Sequence, residues 1–181
     1  MKLVQMPPEL VRIQDADLDA GTLGERLLAA FRAYLPRATH DRRGVAILAH
    51  GESGAHRALM VLARKVGAAL RDANIALRDS GGNVKAQKQR LCYLPGSSLG
   101  IAFRTPGAWE TLAREAACFV QDLEGAWVPE HGGEDVASPA SVLALLDVRL
   151  MAGRPTFLTA DPGRLPSGLE EALRARLAIL E

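Results

Sequence analysis

The chain has 181 residues, of which 48% are hydrophobic and 24% charged, and its 22 basic and 21 acidic side chains leave a formal net charge of +1. This length is typical of one domain around one core. The composition excludes a disordered chain, and no apolar run in the sequence is long enough to span a membrane. A charge so close to zero excludes strong whole-molecule attraction to nucleic acid or lipid, so any nucleic-acid contact must be local.

The beginning of the chain predicts an arm followed by one helix. An early pair of prolines interrupts the sequence before the apolar core of a signal peptide could form, so we expect a cytoplasmic protein. Thr22 and Glu25 make a capping box, and apolar residues at helical spacing follow them. We therefore divide the chain into an N-terminal arm and helix, residues 1–40, and a main body, residues 41–181.

The main body alternates short apolar runs with helical patterns. Runs that are apolar throughout are typical of strands buried on both faces of a parallel sheet, whereas apolar residues three and four apart predict helices. Because strands and helices alternate, we expect an α/β fold, a three-layer αβα sandwich with a mostly parallel sheet. The strands are expected at 44–49, 75–77, 91–94, 117–120 and 156–159, the last of the sheet, and the helices at 59–74, 108–115, 139–151 and 168–180.

The turn after the first strand is the first place to look for a ligand, because ligands of such sheets bind beyond the carboxyl ends of the strands. Its sequence is Ala49-His50-Gly51-Glu52-Ser53-Gly54-Ala55-His56-Arg57-Ala58. A phosphate-binding loop needs G-x-x-x-x-G-K-[ST], and here His56, Arg57 and Ala58 stand in place of the second glycine, the lysine and the hydroxyl. Left-handed strain at His56 and the lost contacts sum to about 3–5 kcal/mol. That loss would weaken nucleotide binding roughly a hundredfold to several thousandfold. The other interpretation is a tight turn that binds nothing.

The same turn allows a serine hydrolase as an alternative. Ser53 lies between small residues, as in a nucleophile elbow, and Asp122 and His131 follow it in the order acid, histidine. However, the strict G-x-S-x-G pattern is broken at Ala55, and the chain is short for that fold.

Later segments extend the pattern of strand, glycine turn and helix. They are Arg90-Leu91-Cys92-Tyr93-Leu94, Phe119-Val120-Gln121-Asp122, and Gly153-Arg154-Pro155-Thr156-Phe157-Leu158-Thr159-Ala160-Asp161-Pro162 with the helical run 169–177 after it. In this order, from residue 44 to residue 177, the chain resembles the AAA+ class of P-loop ATPases, and within it the bacterial replication initiators and the helicase or transposase loaders. The resemblance implies that Gln121 replaces the magnesium-linked acid, and that Asp122 remains where the family positions the attacking water.

The resemblance also implies roles for two residues near the end of the chain. Asp161 takes the sensor position, and Arg176 is the arginine finger that would reach the nucleotide of a neighbouring subunit, so a homo-oligomer is one of the states left open. A solvated arginine at the end of a helix is the alternative interpretation of Arg176. Because the chain ends at Glu181, the family's helical lid with its second sensor is expected to be absent.

Other polar and aromatic residues give weaker signals. Cys92 and Cys118 lie in apolar runs and are expected to be buried thiols rather than a disulfide framework. The four histidines lack metal-ligand spacing, so no metal is predicted, and the aromatic residues are too few for a base-stacking platform. Four basic residues in one stretch either contact the phosphates of a nucleic acid or lie on a solvated face of the protein. They are Arg78, Lys85, Lys88 and Arg90.

The resemblance, together with the replaced motif residues, implies a degenerate, non-hydrolysing AAA+-like binding module. It would act through a protein partner, a replicative helicase or another ATPase, with DNA left open as a second ligand. No cofactor is expected beyond weakly bound ATP. The alternatives are a weak ATPase, in which Arg57 stands in for lysine and Arg176 completes the site, and a structural subunit of an assembly. The vestigial nucleotide site would comprise Gly51, Glu52, Ser53, Gly54, Ala55, His56, Arg57 and Asp161, and the catalytic candidates are Asp122 and Arg176.

Overall fold

A computed structural model describes residues 44–48, 55–76, 90–128 and 136–180. The predicted arm and helix of residues 1–40 lie outside these ranges. The strands are β1 (Val45–Leu48), β2 (Leu91–Pro95), β3 (Ala117–Gln121), β4 (Thr156–Ala160) and β5 (Ala178–Leu180). The helices are α1 (Ala55–Ala76), α2 (Ser98–Arg104), α3 (Ala108–Arg114), α4 (Pro139–Met151) and α5 (Leu169–Arg174), with 3-10 helices at Leu123–Trp127 and Pro162–Arg164.

The five described strands form one sheet in the order β2-β3-β4-β1-β5, and every pairing between them is parallel. Four of them, β1 to β4, are the apolar runs that the sequence singled out. Parallel neighbours require crossover connections, and the helices between the strands supply them. The predicted α/β fold with a mostly parallel sheet is thereby confirmed.

Helices cover both faces of the sheet, because alternate residues of each strand point to opposite sides. On one face α1 packs through Leu59 and Leu62 against Ile47 and Phe119. On the other face α2, α3, α4 and α5 cover the remaining strand residues, with fully buried leucines such as Leu112 among them. This is the three-layer αβα arrangement expected from the sequence.

An aromatic ladder crosses three strands on the face that α1 covers. Tyr93, Phe119 and Phe157 are register neighbours on β2, β3 and β4. The ring centroids of Tyr93 and Phe119 are 6.3 Å apart and those of Phe119 and Phe157 are 4.9 Å apart. Each ring is at most 4% exposed, so these three aromatics belong to the core and cannot stack on bases.

A fully buried arginine joins two helices to the amino-terminal edge of the sheet. Arg149, on α4, is 0% exposed. Its Nε donates to the hydroxyl of Thr156 at 2.8 Å, and its terminal nitrogens donate to the backbone carbonyls of Leu112, Glu115 and Pro155. The guanidinium therefore bonds the end of α3 to the start of β4.

Three of the predicted elements were wrong. Residues 75 and 76 end α1 rather than forming a strand, because the helical pattern of α1 continues through them. The final helix is α5 alone, and the last strand is β5 rather than β4. Residues Ala178–Leu180 pair with the open edge of β1, so inter-strand hydrogen bonds replace the helix that the local pattern favoured. The short helix α2 was not predicted at all.

Candidate functional site

The candidate site lies at the carboxyl-terminal edge of the sheet, where parallel strands β1, β3 and β4 all end. Residues 49–54 of the glycine turn, which include Gly51, Glu52, Ser53 and Gly54, lie outside the described residues. The described part begins with α1: Ala55 is buried, His56 is half-buried and Arg57 is exposed. Asp122 follows β3 and Asp161 follows β4, so the fold brings both acids to the same edge as the start of α1.

Asp122 is the centre of a polar cluster drawn from three elements. Its Oδ2 lies 3.4 Å from Nδ1 of His56 and accepts a hydrogen bond from the side-chain amide of Gln121 at 3.2 Å. The hydroxyl of Thr159, on β4, accepts from the backbone N–H of Asp122 at 2.8 Å and donates to Oδ1 at 3.3 Å. Helix α1 and strands β3 and β4 therefore meet at one carboxylate, which we call the Asp122 cluster (His56, Gln121, Asp122 and Thr159).

These contacts stabilise the ionised form of Asp122. His56 contributes most to lowering the pKa of this carboxyl, and Gln121 and Thr159 add to the effect against the opposing influence of partial burial. About half of the Asp122 side chain is exposed (49%), as is 41% of His56. The carboxylate is thus reachable from solvent but already engaged by groups of its own chain.

Tyr93 extends the cluster into the core. Its hydroxyl donates to the side-chain oxygen of Gln121 at 2.8 Å. Burial, and secondarily the charge of Asp122, raise the pKa of Tyr93, so the phenol keeps its proton and remains a donor. The side-chain amide of Gln121 therefore accepts a hydrogen bond from Tyr93 and donates one to Asp122. Because residue 121 is a glutamine, it supplies no carboxylate at the end of β3.

The backbone at Asp122 is strained. With φ at 51°, it is the one non-glycine residue with a positive φ among those that the structure describes. Left-handed conformations of residues with a side chain are uncommon and cost free energy, and they concentrate at functional sites. The loop also leaves no room for a side chain at Gly96, where a Cβ would overlap the carbonyl oxygen of Asp122.

Asp161 lies beside this cluster but is bound to other groups. Its carboxylate Oδ1 accepts the N–H of Gly163 at 3.0 Å and caps the 3-10 helix Pro162–Arg164. Its own N–H donates to the buried carboxylate of Glu124 at 3.1 Å. The sensor candidate thus lies at the carboxyl-terminal edge of the sheet, with its carboxylate engaged in a cap.

The start of α1 differs from the sequence expectation in one respect. His56 is an ordinary helical residue, so the left-handed strain assigned to it is absent. That strain had been inferred from the glycine at this motif position, whereas the helix here already begins at Ala55. Ala58 is completely buried against the sheet, so the place of the missing hydroxyl is filled by a packed methyl group.

Arg176 lies at the opposite edge of the sheet. It follows α5 and precedes β5 by two residues, so it is at the amino-terminal edge, away from the Asp122 cluster. Its Nε and one terminal nitrogen bind both carboxylate oxygens of Asp147 at 2.7 and 3.0 Å, and its other terminal nitrogen donates to the carbonyl of Ala172. This ion pair raises the pKa of Arg176 and lowers that of Asp147. In this structure the finger candidate is bound within its own chain.

The nucleic-acid and hydrolase candidates are described only in part. Arg90 is exposed and precedes β2 at the amino-terminal edge, whereas Arg78, Lys85 and Lys88 lie outside the described residues. Ser53 and His131 of the hydrolase alternative also lie outside them, and the histidine that the fold brings to Asp122 is His56. No group of three or more potential metal ligands occurs in the described ranges, and none of the described helices is long and apolar enough to cross a membrane.

The sequence pointed to Asp122 but missed most of its partners. The motif comparison treats His56 only as a replaced glycine and Gln121 only as a replaced acid, and it gives Tyr93 no role. Thr159 and Glu124 were not singled out for a role. The available signal was positional: the start of α1 and the ends of β3 and β4 converge on one edge in any parallel sheet of this kind.

Comparisons with known proteins define the fold. The sequence matches no protein-family model and no curated protein. The described sheet order, with a helix after β1, is typical of the P-loop or AAA+ core fold. The fold class and the resemblance stated from the sequence are confirmed at that level.

Solved structures with a similar fold include DnaI, a DNA replication initiation factor and DnaA. DnaI has a TM-score of 0.60 and 15% identity, with 97% of this chain and 94% of DnaI covered. A DNA replication initiation factor has a TM-score of 0.60 and 8% identity, and DnaA from Aquifex aeolicus with bound AMPPCP has 0.60 and 9%. These two comparisons cover 95% and 98% of this chain, which spans 48% and 52% of those longer proteins.

Proposed function

We propose that this chain is a non-hydrolysing module with the fold of AAA+ replication initiators and helicase loaders, and that it acts by binding a protein partner. The observation that carries the proposal is the Asp122 cluster. Asp122 is the acid at the end of β3, where a hydrolysing relative would position the attacking water, and Gln121 before it stands where that relative would have the magnesium-linked acid. Here Asp122 is engaged by His56, Gln121 and Thr159 of its own chain.

The residues at the start of α1 support the same conclusion. Arg57 replaces the lysine of a phosphate loop, and its forked guanidinium is not equivalent to an ammonium group. Ala58, fully buried, supplies no hydroxyl for magnesium. Without the strain once assigned to His56, the lost lysine contact accounts for about 1.5–3 kcal/mol. That is roughly a tenfold to 150-fold weakening of nucleotide binding.

Exposed apolar side chains support a protein partner, which we propose to be a replicative helicase or another ATPase. On α4, Val148 is 42% exposed and Met151 is 88% exposed, and Ile101 on α2 is 44% exposed. Val148 and Met151 are three residues apart, so they lie on the same face of α4, and contiguous exposed apolar side chains are typical of a surface that another protein covers. DnaA, a replication initiator, shares the fold, and this supports a partner in DNA replication.

A titration with a fluorescent ATP analogue, with and without magnesium, tests the proposal. The wild-type protein should show no magnesium-dependent binding at micromolar concentrations. The matched control restores the motif through His56→Gly, Arg57→Lys, Ala58→Ser and Gln121→Asp, and should bind at least about tenfold more tightly. Micromolar, magnesium-dependent binding by the wild type would contradict the proposal.

DNA is a second proposed ligand, supported by the exposed position of Arg90 at the amino-terminal edge of the sheet. A DnaA structure with single-stranded DNA has the same fold, at a TM-score of 0.54 and 7% identity, with 90% of this chain and 47% of that DnaA covered. Fluorescence anisotropy with labelled single-stranded DNA should show binding that weakens as salt rises, with a slope reduced by about one on Arg90→Ala. The same affinity and slope for both proteins would contradict this contact.

A further inference from the structure

Two buried thiols lie side by side on neighbouring strands of the sheet, outside the Asp122 cluster. Cys92 on β2 and Cys118 on β3 are register neighbours and contribute to the same layer of the core. Both are free cysteines, 3% and 0% exposed. Neighbouring strands lie about 4.8 Å apart. This falls within the Cα separation of about 4.4–6.8 Å that a disulfide bond spans.

The surroundings of the pair favour ionisation of Cys118 over ionisation of Cys92. The two side chains hydrogen-bond to each other, and this contact lowers the pKa of Cys118 while it raises that of Cys92. The Arg149 guanidinium lowers both values, whereas burial and the carboxylate of Glu115 raise them. All four hydrogen-bond acceptors of Arg149 are neutral, so its charge is not cancelled by a bonded carboxylate among the described residues.

We propose that Cys92 and Cys118 form an oxidation site, in which hydrogen peroxide converts the two thiols into a disulfide bond between β2 and β3. This site is independent of the nucleotide and partner proposals. The geometry supplies both of the sulfurs that the bond requires, on adjacent strands and on one face. Peroxide is close to water in size, so it needs a smaller opening of the core than a glutathione molecule would.

The reaction proceeds in two steps. The Cys118 thiolate attacks one oxygen of the peroxide, which breaks the O–O bond and leaves a sulfenic acid on Cys118 and a hydroxide that takes up a proton. The sulfur of Cys92 then displaces the hydroxyl from Cys118, forming the S–S bond and releasing water. In total the two thiols lose two electrons and two protons, and one peroxide becomes two waters.

Mass spectrometry on the whole folded protein tests the proposal. The protein is treated with peroxide, the peroxide is removed with catalase, and free thiols are blocked in urea before digestion. Trypsin separates the two cysteines, because it cleaves after Arg90, Arg104, Arg114 and Arg149. The expected result is a linked pair of peptides, 91–104 with 115–149, about 2 Da lighter than their sum and released by a reducing agent. The oxidised protein should also melt several degrees higher, because the new bond closes a loop in the unfolded chain.

A sulfenic-acid probe tests which thiol attacks first. When the probe is added to the wild-type protein together with peroxide, it should label Cys118 several times more than Cys92, because the contact between the two thiols that lowers the pKa of Cys118 is intact there. Equal labelling of the two cysteines would overturn the assignment of Cys118 as the attacking residue. Two fully blocked free thiols, or a sulfinic acid on one cysteine with no linked peptide, would overturn the proposal.

Discussion

The substitution Arg149→Met tests how the amino-terminal edge of the fold is held together. It removes a fully buried guanidinium and the four hydrogen bonds that it donates. Two of the acceptors, the hydroxyl of Thr156 and the carbonyl of Leu112, are in buried hydrogen bonds and cannot recover a partner from water. The carbonyls of Glu115 and Pro155 are part-buried and can be hydrated again.

The expected loss of stability comes from the two buried acceptors that are left without a hydrogen bond. Each unsatisfied buried group costs about 1–3 kcal/mol, which gives about 2–6 kcal/mol for the pair. The apolar methionine offsets part of this, because it removes the cost of keeping a charge in the core. We therefore expect the free energy of unfolding to fall by about 2–4 kcal/mol. In urea this shifts the unfolding midpoint down by about 1–2 M.

Urea unfolding followed by circular dichroism measures this shift. The matched control is Arg154→Met, which removes a single part-buried hydrogen bond to the carbonyl of Ala113 and should lower stability by less than about 1 kcal/mol. An Arg149→Met midpoint no lower than that of Arg154→Met would refute the assigned role of the buried guanidinium.

Three further predictions concern the two edges of the sheet. Gly96→Ala should destabilise the protein by about 1–3 kcal/mol in the same assay, since its Cβ would overlap the carbonyl of Asp122; an unchanged midpoint would contradict the packing described. Arg176→Ala should change stability by less than about 1 kcal/mol, because the ion pair with Asp147 is close to solvent, and a larger loss would show a structural role. The folded-state pKa of Asp122 lies below its ordinary value of 3.8, so Asp122 contributes stability above that pH, and this is lost as the pH falls through the lower folded-state value. Unfolding free energies measured across this acidic range should therefore depend less on pH in Asp122→Asn, and identical slopes would count against the contact with His56.

The elements that the sequence predicted well are those with strong local signals. The four strands β1 to β4 follow the apolar runs of the sequence, and α4 begins at residue 139 as expected, with Ser138 as its N-cap. The Ser138 hydroxyl accepts the N–H of Ser141 at 3.1 Å, as expected of an N-cap. Local chemistry determines such features, so they can be read without knowing the rest of the fold.

The features that were missed depend on contacts between distant parts of the chain. Strand β5 has three residues whose local pattern favours a helix. They form a strand because they pair with β1. Similarly, Thr159 reaches Asp122 only because β3 and β4 are neighbours in the sheet, 37 residues apart in the chain. The Asp122 position could be predicted from the motif, but its partners required the strand order and register.

The central claim is that the Asp122 cluster does not support ATP hydrolysis. Phosphate release under saturating ATP and magnesium tests it most directly, with the wild-type protein and Asp122→Asn measured side by side. The claim predicts no release above the buffer rate in either protein and therefore no difference between them. Wild-type turnover that Asp122→Asn abolishes would contradict it, because Asp122 would then be acting on the attacking water rather than serving only as a partner of His56.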